Sequence, residues 1–344
     1  NISNCAFKLA TMQSAAKLSY DDVSLVIDSD SEAIDEALKT PLRVLHDAMQ
    51  ARVVWRKQHA LIGQERPDYA LSLDDNKKVT GIRKLARNSA QKLVEEAMLT
   101  TNQCAAELLA QQGRGIFSIH PGFRPEQVAE VESILQTHLP GCAELDLTSE
   151  KTYKQLLDTA VAEAVDAPVQ SLLQRRLIPG SFSDHPKPHF GLALPHYATV
   201  TSPIRRYADL VNLRHIKAIL SQQQIDQDNG AITSHLNQQM SVIRQASNNT
   251  EHWMKVDWLK QQKITQSVDA TIINFRHTGL SVRLEDWGIM ASVDLRKSKR
   301  GYHFEAKTGR ASLGDLTLTL DTQIPVLIES IDPHSREVQV KLAI

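Results

Sequence analysis

Apolar residues recur along this chain with two spacings, and the change from one to the other divides it. Up to about residue 262 most repeat every three or four positions, as on a helix face; from Ser267 onward they alternate, as in strands. Within the first part, the alternation of Phe7, Leu9 and Thr11 predicts sheet strands ending at Tyr20, with Asp21 capping a short helix. Ile34, Leu38, Leu42, Leu45 and Met49 share one face of a helix predicted over 32–58. Tyr69–Leu73 and Val79–Lys84 flank the turn sequence DDNKK and read as a hairpin. A long helix follows over Ala86–Gln111, with Leu93, Val94, Ala97, Met98, Cys104 and Leu108 mostly inward. Asn88, Gln91, Glu95 and Asn102 fall on another side of it, one able to line a groove. Gly113–Phe123 reads as strand and turn, 124–177 as helical segments broken by Pro and Gly, and 232–262 as a second long helix carrying Trp253 and Trp258.

The stretch Pro188–Leu220 gathers a short strand, a turn and a basic helix start. Ser202 suits an N-cap and Pro203 a first helical position, so a helix is predicted to begin there. Its first turn would carry Arg205 and Arg206 beside free backbone N–H groups and the positive end of the helix dipole, which suits a phosphate. Arg205, Asp209 and Asn212 would form a polar side, and Ile204, Ala208 and Val211 a packing side. The same two arginines also fit a solvated surface or simple pairing with nearby carboxylates.

From Ser267 the runs VDATIINF, GLSVRLED, WGIMASVDL, LTLTLDTQIPVLIESID and REVQVKLAI read as five strands of a small OB-type barrel. At 344 residues the chain is long enough for two or three domains. With 39 basic and 40 acidic residues the net charge is −1, so any nucleic-acid contact must come from local clustering of cations. Cys5, Cys104 and Cys142 are few, odd in number and widely spaced, which argues against a disulfide framework or a zinc site and for a reducing, cytoplasmic setting. No run approaches the roughly 18 apolar residues of a membrane span. The chain starts at Asn1, in a stretch that reads as mid-domain, and is expected to be part of something longer.

The runs HFGLAL and YATVTSPIRRYADL closely resemble HFGLxL and YxxxTSPIRRYxDL, the signature of the ribonuclease II and ribonuclease R (RNB) exoribonucleases. The resemblance implies an α+β chain: the C-terminal part of an RNB catalytic domain over 1–262, then an OB-fold RNA-binding barrel of the ribosomal-protein-S-one type over 267–344. It implies processive, Mg²⁺-dependent 3′→5′ hydrolysis of single-stranded RNA to nucleoside 5′-monophosphates. Arg205 then contacts the scissile phosphate and is the catalytic residue. AKLSYDDV is similar to the family's AKLxYDxV, whose tyrosine, here Tyr20, lies near the sugar of the RNA 3′ end. KLVEEAMLTTNQCAA resembles IEEFMxxAN and gives Glu95, with Glu96 as second candidate, contact to a ribose hydroxyl. Arg206 joins the phosphate contacts, and Arg175 and Arg176 stand where relatives carry an arginine facing the active centre. In the barrel, Phe275, His277, Arg283, Lys297 and Lys299 would supply aromatic and cationic contacts to single-stranded RNA.

The chain also departs from the family pattern. The family's metal aspartates follow DxxxxxDxDD; counting from Asp28 meets Ile34, Glu36 and Ala37, so Asp28, Asp30, Asp35 and Glu36 read as an acidic helix start. The Mg²⁺ ligands are therefore expected outside this chain, in a missing N-terminal part, and the chain alone is expected to be inactive. Gly63 stands where a base-stacking phenylalanine is frequent, and Ser247, with Glu251 nearby, where a glutamate is frequent. A noncatalytic RNA-binding protein on a degenerate RNB scaffold is the rival reading. His120, in GRGIFSIHPGF, beside a Pro-Gly turn, reads as structural. The absence of a lysine-rich tail favours the ribonuclease II side of the family.

Overall fold

A computed structural model describes residues 2, 4–29, 31–32, 34–62, 67–225, 228–296, 298 and 300–343. The segment before Tyr20 forms no strand: it runs as irregular, mostly exposed chain, with no sheet neighbour among the described residues to take its backbone bonds. Its Phe7 packs inward, against a cluster containing Leu109, Phe117 and Ile216. Helix α1 (Tyr20–Ser29) starts one residue before Asp21. Ser19 is the capping group, its hydroxyl accepting from Asp22 N at 3.1 Å and donating to the Asp22 carboxylate at 2.6 Å. Tyr20 thus opens a helix rather than closing a strand.

Helix α2 (Glu36–His59) begins after Asp35, whose carboxylate accepts from Ala37 N, and Leu45 of its predicted apolar face is exposed. Strands β1 (Asp68–Leu73) and β2 (Val79–Leu85) form the expected antiparallel hairpin. Helix α3 (Ser89–Gln111) opens later than its apolar spacing suggests, because Asn88 and Gln91 make a reciprocal capping box. Strand β3 (Phe117–Ile119) precedes α4 (Val128–His138), α5 (Glu150–Ala162) and α6 (Val169–Gln174), and pairs with β4 (Ser181–Ser183). Helices α7 (Tyr207–Leu220) and α8 (Asn229–Gln261) close the helical part.

The last stretch holds β5 (Val268–Arg276), β6 (Gly279–Leu284), β7 (Ile289–Asp294), β8 (Tyr302–Glu305), β9 (Arg310–Leu313), β10 (Leu316–Thr319), β11 (Gln323–Asp332) and β12 (Glu337–Leu342). Strands β5, β6, β7, β12 and β11 close a barrel in that order, with β12 parallel to β7. The circuit has the connectivity of an OB barrel. One sequence reading is corrected here. The run LTLTLDTQIPVLIESID is two strands, because β10 leaves the barrel to join β8 and β9 in a separate three-stranded sheet.

One apolar core runs from Leu135, Leu156 and Leu173 of the helices through Val256 and Leu259 of α8 into Val268, Ala270, Leu284 and Ile289 of the barrel. A polar clamp holds the hairpin to the barrel. Glu285 receives Lys84 Nζ at 2.7 Å, Thr271 Oγ1 at 2.7 Å and Arg283 Nη2 at 2.8 Å, and Tyr69 O–H donates to the Glu285 carbonyl at 3.0 Å. Gly288, at φ +63°, faces the Tyr69 ring so closely that a Cβ there would stand 2.3 Å from it. The barrel is thereby fixed against the groove described next.

Candidate nucleic-acid site

The segment TSPIRR does not start a helix. Arg205 N and Arg206 N both return to the Ser202 carbonyl, at 3.3 and 3.0 Å, making a turn, and α7 begins at Tyr207 with no side-chain cap. The cause lies three residues into the helix. Asp209, with no solvent exposure, accepts from Ser202 N at 2.8 Å, Thr199 Oγ1 at 2.6 Å and Arg206 Nη2 at 2.9 Å, so one buried carboxylate folds the preceding loop onto the helix start. Asn212 is equally buried and accepts from Ile116 N at 2.7 Å while donating to the Ile116 and Thr199 carbonyls. Gly115, at φ +102°, lets this amide approach, since a Cβ there would lie 3.0 Å from its oxygen. The expected polar side of α7 is therefore an internal pillar. Ile204, expected to pack, is instead fully exposed, because it sits on the turn and not on the helix.

This folding separates the two arginines. Arg206 is tied to Asp209 and to Thr201 Oγ1. The Arg205 guanidinium is exposed and has no hydrogen-bond or ion-pair partner among the described residues. Both border a cavity of 510 Å³ whose wall also includes Tyr20, Arg87, Gln91, Glu95, Asn102 and Tyr197. Tyr20, 50% exposed, comes from the start of α1 and Glu95 from the outer side of α3. Asn102 shapes the wall from within, donating to Tyr197 O–H at 2.8 Å and accepting from Val200 N at 2.9 Å. Glu96 faces away from this cavity, buried and bonded to Arg56 Nε at 2.8 Å. A free guanidinium, a carboxylate and a phenol on one wall suit a ligand with phosphate and sugar hydroxyls.

A second cavity of 1480 Å³ lies between the helical part and the barrel, bordered by Lys84, His120, Arg124, Arg175, Arg283 and Asn274. Leu85, Ala86 and Arg87 border both cavities. Arg175 spans the divide, donating to Asn274 Oδ1 at 3.0 Å and to the Ile273 carbonyl. Burial lowers its pKa from the ordinary arginine value, Asp321 opposing the shift. Arg283, although bonded to Glu285, is part of the same wall.

Other predicted residues lie elsewhere. Arg176 is buried, its guanidinium committed to Glu130 at 3.0 Å and to the Leu172 carbonyl at 2.7 Å, so it packs rather than faces a groove. Phe275 is a barrel core residue, not a surface platform: a bulge between Ile272 and Asn274 shifts the inward phase of β5 and turns its ring onto Phe304. His277 is exposed at the end of β5, its ring 5.2 Å from that of Phe304. Lys297, Lys299 and Gly63 lie outside the described residues. Ser247 is exposed in mid-α8, and the nearby Glu251 pairs with Lys255 at 2.6 Å. His120 accepts from Gly191 N through Nδ1 at 2.8 Å, a structural bond, and burial lowers its pKa.

Of the acidic run, Asp30 lies outside the described residues, and the others are bonded separately. Asp28 accepts from Ser89 Oγ at 2.6 Å, Asp35 caps α2 and Glu36 pairs with Lys39 at 2.7 Å. Among the described residues no three His, Cys, Asp or Glu side chains gather into a metal-holding group. Sequence reasoning missed Arg87, whose Nη1 lies 2.6 Å from Glu95. It precedes the helix cap, so helical spacing could not pair it with a residue inside the helix.

The RNB domain family model matches residues 1–222. The chain belongs to the RNB family. RNB-family exoribonucleases are hydrolases. An Exoribonuclease 2 from Photorhabdus laumondii is 32% identical over 352 residues, covering 97% of this chain and 53% of that protein. One from Yersinia pseudotuberculosis is 35% identical over 302 residues, covering 83% and 45%. The chain spans about half the length of these curated relatives. Among solved structures, Mycoplasma genitalium RNase R in complex with ribose methylated single-stranded RNA superposes with a TM-score of 0.76 at 17% identity, over 94% of this chain and 52% of that one. That likeness shows the RNB fold.

Proposed function

We propose that this chain is the C-terminal, RNA-holding part of an exoribonuclease of the ribonuclease II type, which in full length degrades single-stranded RNA processively from the 3′ end to nucleoside 5′-monophosphates. The observation that carries this reading is the convergence of Tyr20, Glu95 and the unpartnered Arg205, from three distant segments, on one cavity wall. In this reading Arg205 offsets the charge that builds on the scissile phosphate, and Tyr20 and Glu95 meet the terminal sugar. The neighbouring cavity, with Arg175 and Arg283, receives the strand on its way from the barrel, which we read as an OB domain of the ribosomal-protein-S-one type. We take the catalytic part as 1–262 and the barrel as 267–344.

Mg²⁺ would serve the hydrolysis, and its hard oxygen ligands are assigned to carboxylates outside this chain, in an N-terminal part of the same protein. We place the protein in the cytoplasm. Its three cysteines are unpaired, and no helix among the described residues is long and apolar enough to cross a membrane.

Incubation of this chain with Mg²⁺ and labelled single-stranded RNA tests the reading. Binding without monophosphate release, followed by release when the N-terminal part is added, is the expected result; release by the purified chain alone would refute the assignment of metal ligands. The second reading, an RNA-binding protein without hydrolysis, is supported by Ser247 at a position where relatives often carry a glutamate. Yeast Ssd1, described as a pseudonuclease, also shares the fold at a TM-score of 0.57 and 17% identity, over 86% of this chain and 37% of that one. RNA binding that stays uncleaved after the N-terminal part is added selects this reading.

A further inference from the structure

Helix α8 is unlike the other helices in that its middle, from 241 to 251, is exposed on every side. Just beyond, Trp253 leaves 48% of its surface open, an unusual state for the residue with most to gain from burial. Trp253 borders a cleft of 380 Å³ together with Asn249, Thr250, Pro333, His334 and Arg336. The last three belong to the turn joining β11 to β12, the fourth and fifth strands of the barrel. Turns at this place in OB barrels are a common contact point for oligonucleotides.

The cleft is preformed. His252 donates through Nε2 to the Arg336 carbonyl at 3.0 Å, and Lys260 Nζ donates to the Ile331 carbonyl at 3.0 Å, so the turn is pinned to α8 at both ends. Its one acidic side chain, Asp332, is occupied within the turn by His334 N at 2.9 Å and Ser335 Oγ at 2.8 Å. On the helix, Glu251 is neutralised by Lys255. The side chains of His334 and Arg336 have no hydrogen-bond partner among the described residues. Arg336 also holds φ +62°, a conformation that glycine or asparagine adopts more easily.

We propose that Trp253 and the β11–β12 turn form a second docking point for single-stranded RNA, in which a base stacks on the indole and Arg336 and His334 hold the adjacent phosphate. The proposal rests on the RNA-binding reading above. None of the residues bordering this cleft borders either of the two cavities described above, so the point is separate from them. Stacking on an aromatic platform tolerates any base, so the docking point would add affinity for long strands without selecting sequence.

Titration of the full chain with a long single-stranded oligouridylate, read by tryptophan fluorescence and by competition, tests this. Trp253→Ala should weaken binding by about 5- to 100-fold and remove most of the fluorescence change. Arg336→Gly suits the local backbone, so its melting temperature should hold or rise while binding weakens and its salt dependence falls by about one phosphate contact. A parent chain that binds no RNA defeats the RNA reading itself. A parent that binds while both variants bind equally well overturns the docking point alone. A Trp253→Ala effect confined to self-association, seen by sedimentation, overturns it too and makes the cleft a contact between copies.

Discussion

Arg87 Nη1 stands 2.6 Å from Glu95 Oε2, tying the residue before the α3 cap to a carboxylate two turns along the helix, where both border the cavity that holds Arg205. Both side chains are about half exposed, so the pair itself adds little stability and is free to exchange partners when a strand enters. Glu95→Ala should narrow the preference for RNA over DNA by about 3- to 10-fold, the worth of one hydrogen bond to a 2′-hydroxyl. Arg87→Ala should weaken both strands alike and flatten the salt dependence. Competition binding with matched RNA and DNA oligonucleotides reads both effects, and an unchanged preference in Glu95→Ala would reduce that residue to surface charge.

The adjacent arginines of TSPIRR should respond oppositely. Arg205→Ala removes an exposed side chain without a bonded partner, so stability should stay within about 0.5 kcal/mol. In the full-length protein the same change should slow hydrolysis by ~100-fold or more while binding changes far less. Arg206→Ala leaves Asp209 buried with one cation fewer and should cost about 2 kcal/mol, less than the ~3–5 kcal/mol of a fully buried pair because Arg206 itself reaches solvent. Thermal melts and single-turnover decay of a labelled oligonucleotide separate the two roles.

Gly288→Ala should loosen the barrel from the hairpin. The added methyl meets the Tyr69 ring and the backbone is already at positive φ, so the hairpin must shift and the Lys84–Glu285 contact with it. Hydrogen exchange should quicken in β1 and β2, and long oligonucleotides should bind more weakly than short ones are affected. Unchanged exchange would mean that the apolar core alone seats the barrel.

Acid should act on the fold in two successive windows. His189 is lowered to about 4, by burial first and by the nearby charge of His120 second, so its neutral state adds stability that is full above the ordinary value of 6.5 and is lost as pH falls toward 4. Burial would raise the Glu285 carboxyl, but hydrogen bonds from Lys84, Thr271 and Arg283 outweigh it and bring the pKa to about 2. Its contribution is present above 4.5 and fades as pH falls toward 2. Melting temperature followed against pH should therefore decline across both windows. His189→Phe should flatten the upper one and Glu285→Gln the lower.

Much of this architecture was legible in the chain itself. Local rules of spacing and capping sufficed for the DDNKK hairpin, for α3 and α8, and for four of the barrel runs, since each depends on neighbours in sequence. The runs HFGLAL and YATVTSPIRRYADL were enough for the family; TSPIRR named Arg205 as a candidate, and the similar runs AKLSYDDV and KLVEEAMLTTNQCAA named Tyr20 and Glu95. Which side of an element a residue finally takes was decided elsewhere. Phe275 turned inward because a bulge shifted the strand's phase, and Arg176 because Glu130 of α4 drew it into the core. The predicted helix start at Ser202 gave way to a turn because the buried Asp209 carboxylate captured that loop's N–H and Arg206. That capture left Arg205 as the arginine of the pair without a partner among the described residues. Periodicity and caps are written in adjacent residues; burial of a charge, and the freedom of the charge beside it, depend on partners that only the folded chain brings within hydrogen-bond distance.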